Sequence, residues 1–305
     1  MVNKKELIVI GGPTASGKTG LSVAVAKALK APIISADSRQ FYKEVSIGTA
    51  KPTLEEQEGI PHYFIHSHQL EDTVSSVRFE KEALILLEKL FFTHNYVVLV
   101  GGSGMFIDAL LHGTDDLPKD NTIRAKLNEY YKNEGANFLL NQLKRKDPIY
   151  FDQVDKNNIP RIIRALEVIA ITKKTFSELR TGAKKVRNFN YSMFIINHTR
   201  EALYARINKR VDIMLEAGLI EEVQSVKHLS HLQSLNTVGY KEIVQFLDGE
   251  INLQDAIELV KRNSRRYAKR QITWFKRYKN AQWIDYTDSE KMTLEILEKY
   301  PEKNN

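Results

Sequence analysis

The 305-residue sequence predicts an α/β fold in which a parallel β-sheet carries helices on both faces. Four short apolar runs have the composition of buried parallel strands, and segments with a helical spacing of apolar residues separate them. Between residues 115 and 187 the pattern changes, because helical spacing dominates there and Lys and Arg are frequent. The sequence therefore predicts an α/β core that is interrupted by a helical insertion. The four strand-like runs are residues 7–10, 33–34, 96–100 and 191–196.

These patterns also set the predicted boundaries. We expect the core at residues 1–114 and 188–290, the insertion at 115–187 and a C-terminal tail at 291–305. Helices of the insertion are predicted from their apolar spacing. They lie at 122–132, 136–146 and 160–171.

The first predicted strand and the first helix are joined by a segment that fits the pattern G-x-x-x-x-G-K-S/T at every fixed position. Strand, glycine-rich loop and helix in this order are typical of the phosphate-binding loop in a P-loop NTPase-like fold. In such a loop the backbone N–H groups and the helix N-terminus face an anion, Lys18 adds a full charge, and the Thr19 hydroxyl can hold Mg²⁺. The segment therefore predicts a site for a diphosphate or a triphosphate. Its residues are Gly12, Pro13, Thr14, Ala15, Ser16, Gly17, Lys18 and Thr19.

Composition limits the class of protein and of partner. With 42% hydrophobic and 27% charged residues, the chain has the composition of a globular protein. Its apolar runs fall far below the roughly 18 residues that a membrane span needs, and the segment before the first strand lacks the layout of a signal peptide. The absence of cysteine excludes disulfides and thiolate metal sites. We therefore expect a cytoplasmic protein outside the membrane, and a net charge of +7 favours an anionic partner.

Polar residues follow the second predicted strand, at the edge of the sheet where ligands bind in doubly wound α/β folds. Asp37 is therefore expected near the phosphate-binding loop. It can act there as a general base or as a metal contact. It can equally serve as a helix N-cap, because Ser35, Asp37 and Ser38 all suit that position. The sequence leaves both interpretations open.

A segment rich in hydrogen-bond donors and aromatic residues follows at 39–52, and we predict a functional loop there. Three histidines, His62, His66 and His68, come next. Their spacing suggests a metal site, but no nearby carboxylate completes a convincing ligand set, so we expect none.

The predicted strand at 96–100 ends in Gly101-Gly102-Ser103-Gly104. A standard ATPase carries an acidic residue at the end of such a strand to organise Mg²⁺. Because glycines and Ser103 stand there instead, we expect a site that binds phosphates without the usual acid for ATP hydrolysis. Ser103 can hydrogen-bond to a phosphate or a substrate, or it can be only a small turn residue.

Arginine pairs mark two predicted helices. Residues 201–226 are predicted to be helical, with Arg206 and Arg210 on one face and Gly218 as a break or a cap. In the insertion, Arg161 and Arg164 share one helical side. The second of these can also form only a surface ion pair with Glu167, three residues further along the helix.

The segment 260–279 carries nine Lys or Arg residues and no acidic residue. At about 100° per residue, its aromatic side chains fall on one side of a helix and most of its cations fall on the opposite side. Ordinary solvated faces mix both signs of charge, so this one-signed face favours a nucleic-acid backbone as partner. The cations of that face are Arg262, Arg265, Arg266, Lys269, Arg270 and Arg277.

Taken together, these segments resemble the bacterial tRNA dimethylallyltransferase family, in family order over roughly residues 7–277. The phosphate-binding loop is shared by very many proteins, whereas the other segments are far more specific. They are Ser35-Ala36-Asp37-Ser38-Arg39-Gln40-Phe41-Tyr42, Ile47-Gly48-Thr49-Ala50-Lys51-Pro52, Gly101-Gly102-Ser103-Gly104, Arg161-Ile162-Ile163-Arg164-Ala165-Leu166-Glu167-Val168, Gly239-Tyr240-Lys241-Glu242 and Ala268-Lys269-Arg270-Gln271-Ile272-Thr273-Trp274-Phe275.

The resemblance implies a reaction. The phosphate-binding loop would hold the diphosphate of dimethylallyl diphosphate with Mg²⁺, rather than ATP. The five-carbon group would pass to the N6 amine of the adenosine beside the anticodon in a subset of tRNAs. We expect a monomer that binds the tRNA anticodon stem-loop.

The resemblance also implies roles for individual residues. Asp37 matches the general base, and Ser103 stands where the family usually has Thr beside substrate and diphosphate. Arg210 is the best match for the arginine that grips the diphosphate. The segment from Asp37 to Gln40, with Ser38 and Arg39, matches the part that contacts tRNA, although Arg39 replaces a commonly apolar residue. The insertion matches the part that embraces the anticodon stem, and the other predicted tRNA-binding residues are Arg161, Arg164, Arg266, Lys269 and Arg270.

Three other functions remain possible on the sequence. A small-molecule kinase would explain the phosphate-binding loop but not the cationic helix. An enzyme that prenylates free adenine nucleotides would need neither the insertion nor that helix. A non-catalytic RNA-binding protein would leave Lys18, Asp37 and Ser103 without a shared purpose.

Overall fold

The structure is a computed structural model that describes residues 5–300. Its chain forms two compact units. The first comprises the residues up to Leu111 together with those from Val186 onwards, and the second comprises His112–Lys185. At the boundary of the second unit, the backbone N–H of Lys185 donates to the carbonyl of His112 at 2.8 Å, so the two ends of this unit lie side by side.

A six-stranded sheet, parallel throughout, organises the first unit, with the strand order β3-β2-β4-β1-β5-β6. The four predicted strands are the four central ones, and the predicted α/β class is confirmed. The two edge strands escaped prediction, because two and four residues are too few to form a recognisable apolar run. The strands are β1 Glu6–Gly11, β2 Ile33–Ser35, β3 His62–Tyr63, β4 Tyr96–Gly101, β5 Asn190–Asn197 and β6 Gln282–Asp285.

Helices cover both faces of the sheet, because alternate strand residues point to opposite sides. Leu7 and Val9 pack beneath α2 (Ser76–Thr93), α3 (Gly104–His112) and the end of α11 (Leu253–Phe275). Ile8 and Ile10 pack beneath α1 (Lys18–Ala28) and α12 (Ser289–Leu297). The last of these helices lies in the segment that the sequence assigns to a C-terminal tail from residue 291. It is instead part of the fold, since Met292 and Ile296 are fully buried against the sheet.

A layer of helices follows β5 along the chain. It consists of α8 (Arg200–Glu216), α9 (Leu219–Val226), α10 (Tyr240–Leu247) and α11. Gly218 separates the first two with a left-handed φ of 95°, so the predicted break is confirmed. Helix α11 ends at Phe275, four residues before the predicted end, and turns follow it.

The second unit is helical, as predicted. It contains α4 (Asn121–Lys146), α5 (Pro148–Gln153), α6 (Ile159–Thr172) and α7 (Phe176–Leu179). Helix α4 is broken at Gly135, where φ is 76°, so it forms the two predicted helices on either side of this residue. Side chains of α4, α5, α6 and α7 bury a small core of their own.

No helix within residues 5–300 is both long enough and apolar enough to cross a bilayer.

At the carboxyl edge of the sheet, the backbone at Gly101 lies so close to that of Ala36 that only glycine fits there. This close contact gives a test of the fold. A Cβ on Gly101 would lie 2.3 Å from the carbonyl oxygen of Ala36, which belongs to the backbone and has no room to move aside. Gly101→Ala should therefore lower the free energy of unfolding by about 1–3 kcal/mol in urea denaturation.

Gly20 provides the matched control, because a Cβ there would meet nothing within 4 Å. Gly20→Ala should leave stability unchanged or raise it by up to about 1 kcal/mol, since alanine favours a helix more than glycine. Equal stability of the Gly101→Ala variant and the unsubstituted protein would contradict the constraint.

Candidate active site

The phosphate-binding loop ends at Gly17, whose left-handed φ of 92° starts α1. This conformation lets the backbone turn its N–H groups toward a ligand at the helix N-terminus. Ser16 Oγ is buried and has no hydrogen-bond partner among the described residues. A buried hydroxyl without a partner is costly, so this group fits a loop that closes around an oxygen-rich anion.

Lys18 follows the loop and points back across it. Its Nζ donates to the carbonyl of Pro13 at 2.7 Å. The pKa of Lys18 is lowered to about 7, mainly by burial and also by the nearby charge of Arg210, while the charge of Asp37 opposes this shift. The side chain is therefore close to half protonated at neutral pH until an anion arrives.

Helix α8 supplies two arginines to the same place. Arg210 lines the site, and burial lowers its pKa while the charge of Asp37 opposes that shift. Arg206 lies one helical turn earlier, and its Nε donates to the carbonyl of Ala15 at 2.8 Å. Its guanidinium lies 4.5 Å from the ring centroid of Tyr286 and donates to the hydroxyl of that residue at 3.1 Å. Only Arg210 was assigned from the sequence, although the four-residue spacing already placed Arg206 on the same face.

Two cavities meet at these residues. One, of about 540 Å³, is lined by the phosphate-binding loop and by Lys18, Arg206, Lys209 and Arg210. The other, of about 210 Å³, has an apolar wall that includes Ile207, Val211 and Val260. Because the cavities share several lining residues, a ligand with an anionic end and a short apolar end fits across both. The shared residues are Thr14, Ala15, Asp37, Gly48, Thr49, Arg210, Met214 and Tyr267.

Asp37 lies at the carboxyl end of β2 and lines both cavities. Its Oδ1 accepts the backbone N–H of Arg39 at 3.0 Å. No helix begins there, so the helix N-cap interpretation is wrong, and the carboxylate instead caps a turn. Its Oδ2 makes no hydrogen bond to any residue from 5 to 300, which leaves one oxygen of the carboxylate available to a ligand.

Ser103 follows the end of β4, the strand next to β2 in the sheet. It is buried, and its Oγ accepts the backbone N–H of Ser38 at 3.0 Å. Tyr267 of α11 lines both cavities together with Asp37 and was not predicted as a site residue. The pKa of Tyr267 is raised to about 12, mainly by burial and also by the charge of Asp37, while the Ser103 hydroxyl opposes this shift.

Gln271 is a second site residue that the sequence analysis did not single out. Its Oε1 accepts the backbone N–H of Thr14 at 2.8 Å, and its Nε2 donates to the carbonyl of Gly102 at 2.9 Å. One buried amide therefore joins the phosphate-binding loop to the turn that carries Ser103. Its position inside a specific sequence motif indicated that Gln271 matters. Only the fold shows that its amide joins Thr14 to Gly102.

The loop at 39–52 is fastened by hydrogen bonds within the chain. The Gln40 amide accepts from Ser35 Oγ at 2.9 Å and donates to the carbonyl of Ala50 at 3.1 Å. The Arg39 guanidinium donates to the carbonyls of Gln233 and Ser234 at 3.3 and 2.8 Å. Both side chains were predicted to contact tRNA, and both are engaged within the protein.

Glu222 of α9 anchors the same loop. Its carboxylate accepts the backbone N–H groups of Ser46, Ile47 and Gly48 at 2.6, 2.8 and 2.9 Å, and the hydroxyl of Tyr240 at 2.6 Å. A carboxylate bound by three consecutive amides fixes the backbone of residues 46–48. Gly48 and Thr49 line both cavities, so this anchor shapes the site from outside it.

The exposed side of α11 carries the predicted cations Arg266, Lys269 and Arg270. The exposed cationic face of α11 is narrower than predicted, because Arg265 is half-buried and donates a hydrogen bond to Asn208 Oδ1 at 2.6 Å. Arg277 lies beyond the end of the helix and pairs with Asp108 at 3.1 Å.

In the second unit, Arg161 is exposed, as a nucleic-acid contact requires. Arg164 instead binds the fully buried Glu167 at 2.9 Å and donates to the carbonyls of Leu117 and Pro118. Arg124 binds the same carboxylate at 2.6 Å. The pairing of Arg164 with Glu167 is therefore confirmed, but the carboxylate is buried rather than on the surface, and the guanidinium stabilises the core of this unit.

Comparison with known proteins assigns the chain to a family. The family model described as "IPP transferase" matches residues 40–278. The chain belongs to the IPP transferase family. The match begins after the phosphate-binding loop and Asp37, so the interpretation of those residues depends on their own motif and geometry.

Curated relatives and solved structures agree with this assignment. A tRNA dimethylallyltransferase of Bacteroides fragilis is 46% identical over 295 residues, which cover 96% of this chain and 98% of that protein. One of Cytophaga hutchinsonii is 44% identical over 299 residues, 98% of each chain. The tRNA isopentenylpyrophosphate transferase of Bacillus halodurans matches with a TM-score of 0.73, 37% identity and coverage of 97% and 96%. A eukaryotic dimethylallyltransferase acting on tRNA matches with a TM-score of 0.79 and 26% identity, over 97% of this chain and 78% of that one.

The lowered pKa of Lys18 gives the first test of this site. A bound diphosphate should raise that pKa, so above pH 7 binding should take up close to one proton at this residue. The affinity for inorganic diphosphate should then fall by up to about tenfold per pH unit between pH 7 and 9. Calorimetry at pH 8 in two buffers of different ionisation enthalpy measures the proton uptake.

Lys18→Met is the control, because it retains only the proton exchange of the diphosphate itself. The same proton uptake in both proteins would contradict the protonation change at Lys18.

The anchor at Glu222 gives the second test. Glu222→Gln replaces a charged acceptor by a neutral one, so the free energy of unfolding should fall by about 1–3 kcal/mol. The loop at 39–52 should also be cut faster in limited proteolysis. Glu221→Gln removes the same charge from an exposed neighbour and should change neither measurement. Indistinguishable cleavage of the two variants would show that the loop does not depend on this carboxylate.

Proposed function

We propose that the protein transfers the dimethylallyl group of dimethylallyl diphosphate to the N6 amine of the adenosine on the 3′ side of the anticodon, in a subset of tRNAs, with release of diphosphate. The observation that carries the proposal is the pair of cavities in which a diphosphate-binding loop, a carboxylate and an apolar wall meet. The names of the similar proteins support the same reaction.

The cationic end of the site suits the leaving group. Lys18, Arg206 and Arg210 surround the larger cavity with the amides of the loop. Charge that develops on the diphosphate as the bond to carbon breaks is stabilised by these groups. The apolar wall of the smaller cavity suits a five-carbon chain and keeps water from the allylic carbon.

Magnesium fits the same end. Thr19 lines the larger cavity together with Asp37 and Glu56, which all offer the hard oxygen ligands that Mg²⁺ prefers. The residues described contain no cluster of three or more His, Asp or Glu side chains that could hold a metal alone. This suits Mg²⁺, which commonly takes one or two protein ligands and completes its shell with phosphate and water. Bound Mg²⁺ would neutralise part of the charge of the diphosphate, with Thr19 as its protein ligand.

Asp37 would act as the general base. The adenine N6 forms a bond to C1 of the donor, the bond between C1 and the diphosphate oxygen breaks, and the proton lost by the amine passes to Asp37 Oδ2. Oδ1 stays on the Arg39 amide and keeps the carboxylate in position. An exocyclic amine is a weak nucleophile, so removal of its proton during attack helps the reaction.

RNA binding draws on separate groups. The exposed cations of α11 provide a surface for phosphates, and an adenosine in an anticodon loop is less costly to unstack than one in a duplex. We expect the helical unit at residues 112–185 to embrace the anticodon stem through exposed residues such as Arg161. We also expect a monomer in the cytoplasm, and the absence of cysteine is in keeping with that reducing compartment.

The test is transfer of label from radiolabelled dimethylallyl diphosphate, with Mg²⁺, into unmodified bacterial tRNA whose anticodon is followed by three adenosines. Asp37→Asn should lower kcat by about 10²–10⁴-fold. Because the asparagine oxygen can still accept the Arg39 N–H, the loop should keep its shape and binding of inorganic diphosphate should persist. Glu71→Gln, an exposed substitution that also removes one negative charge, should leave the rate unchanged.

Two other acceptors separate the competing functions. Label in AMP rather than in tRNA would move the protein to enzymes that prenylate free nucleotides. Phosphate release from ATP without any label transfer would overturn the proposal in favour of a kinase. Full activity of Asp37→Asn would remove that carboxylate from the mechanism.

A further inference from the structure

A second groove lies between α8 and α11, and we propose that it binds a single-stranded segment of the RNA substrate other than the nucleotide that enters the active site. We refer to it as the α8–α11 groove. Its volume is about 630 Å³. Among the residues that line it are Arg200, Tyr204, Lys269, Ile272, Lys276 and Trp283. This inference depends on the proposed function only in taking RNA to be the substrate.

The groove is separate from the active site, because the two lie on different sides of α11. The active-site cavities use Val260, Ser264, Tyr267 and Gln271, which recur at spacings of four, three and four residues. The groove uses Lys269, Ile272 and Lys276, at spacings of three and four. At about 100° per residue the two sets point about 140° apart.

An apolar contact closes the space between them. Ala15 of the phosphate-binding loop, Leu203 and Ile207 of α8, and Ala268 of α11 form one buried cluster. Tyr204 and Ile272 pack against this cluster and also line the groove. The floor of the groove is therefore the outer surface of the packing that supports the phosphate-binding loop.

The charge of the groove has one sign. Arg200, Lys269 and Lys276 line it and are exposed, and no acidic residue is among the described residues that line it. A protein partner or an ordinary solvated surface would usually bring both signs of charge. Three cations around one groove instead suit the phosphates of a nucleic-acid strand.

The groove also offers aromatic and apolar surface, which distinguishes its ligand from a simple anion. Trp283 and Tyr204 are half-buried and line it, and Ile272 with Leu203 completes the apolar part. The Arg200 guanidinium lies 5.2 Å from the ring centroid of Tyr204. Aromatic rings beside cations are the means by which proteins bind unpaired bases, whose faces a duplex hides.

The groove continues the cationic side of α11. Exposed residues recur along one line of the helix at spacings of four, three, four and three, and the line ends in the groove. They are Arg262, Arg266, Lys269, Thr273 and Lys276. Over 14 residues this line is about 21 Å long, the distance that a few nucleotides span. RNA that lies along α11 would therefore reach the groove without leaving the protein surface.

The two tryptophans of the chain make the proposal directly measurable. Trp274→Phe leaves Trp283 as the single tryptophan. Phe retains an aromatic ring beside the Arg277 guanidinium, which lies 4.3 Å from the ring centroid of Trp274. In this reporter variant, titration with unmodified tRNA should quench the fluorescence of Trp283 in a saturable manner, because a base stacks on the ring.

Arg200→Ala/Lys276→Ala in the reporter background tests the cations. We expect quenching to require about tenfold more tRNA, and the salt dependence of tRNA binding to lose about 1.4–1.8 units of slope, as two lost phosphate contacts predict. Prenyl transfer should show a raised KM for tRNA with kcat retained. Lys27→Ala/Lys89→Ala removes two exposed lysines that do not line the groove and should change none of these values.

Each outcome separates the groove from the active site. If tRNA is prenylated but its binding leaves Trp283 unquenched, or if the groove variant behaves as the lysine control does, the groove proposal is wrong. If no prenyl transfer occurs but tRNA still quenches Trp283 through Arg200 and Lys276, the proposed function is wrong and the groove remains an RNA site. If AMP alone quenches Trp283 and tRNA does not, the ligand is a free nucleotide and the RNA assignment is overturned.

Discussion

The segments that follow β1, β2 and β4 pack so closely at the carboxyl edge of the sheet that no further side-chain atom fits between them. The positions of the other site residues depend on this close packing. The carbonyl of Ala36 lies against Gly101, and Gln271 fills the gap between Thr14 and Gly102. Three segments far apart in the sequence are thereby held in one rigid group. The proposed reaction needs this rigidity, because small displacements of reacting groups greatly reduce rates.

Electrostatics in the site are arranged for an anion that arrives and departs. Lys18, Arg206 and Arg210 line one cavity, and Lys18 has a pKa of about 7. Without an anion, Lys18 can release its proton, which reduces the repulsion between its charge and the two arginines. A diphosphate that binds would restore the charge of Lys18. Asp37 stands at the junction of the cationic and apolar regions, which is where a proton would be released when the acceptor amine attacks.

Sequence patterns predicted the elements whose signals are local. The phosphate-binding loop, the four central strands and the division at Gly135 each follow from spacing or composition within a few residues. β3, β6 and α12 were missed because short edge strands and a terminal helix become stable only through packing on the sheet. Gln271, Glu222 and Arg206 were missed because their partners lie far away in the chain. Arg164 and Gln40 were predicted to contact tRNA because they lie in specific motifs. In the structure both side chains instead form bonds within the protein.

The hydrogen bond between Lys185 and His112 holds the two ends of the helical unit side by side. The chain leaves the α/β unit and returns to it at adjoining points, as in domains that were inserted into a surface loop. A short linker across these points would close the α/β unit at little cost in loop entropy. The helical unit can therefore be regarded as an insertion whose removal need not open the α/β unit.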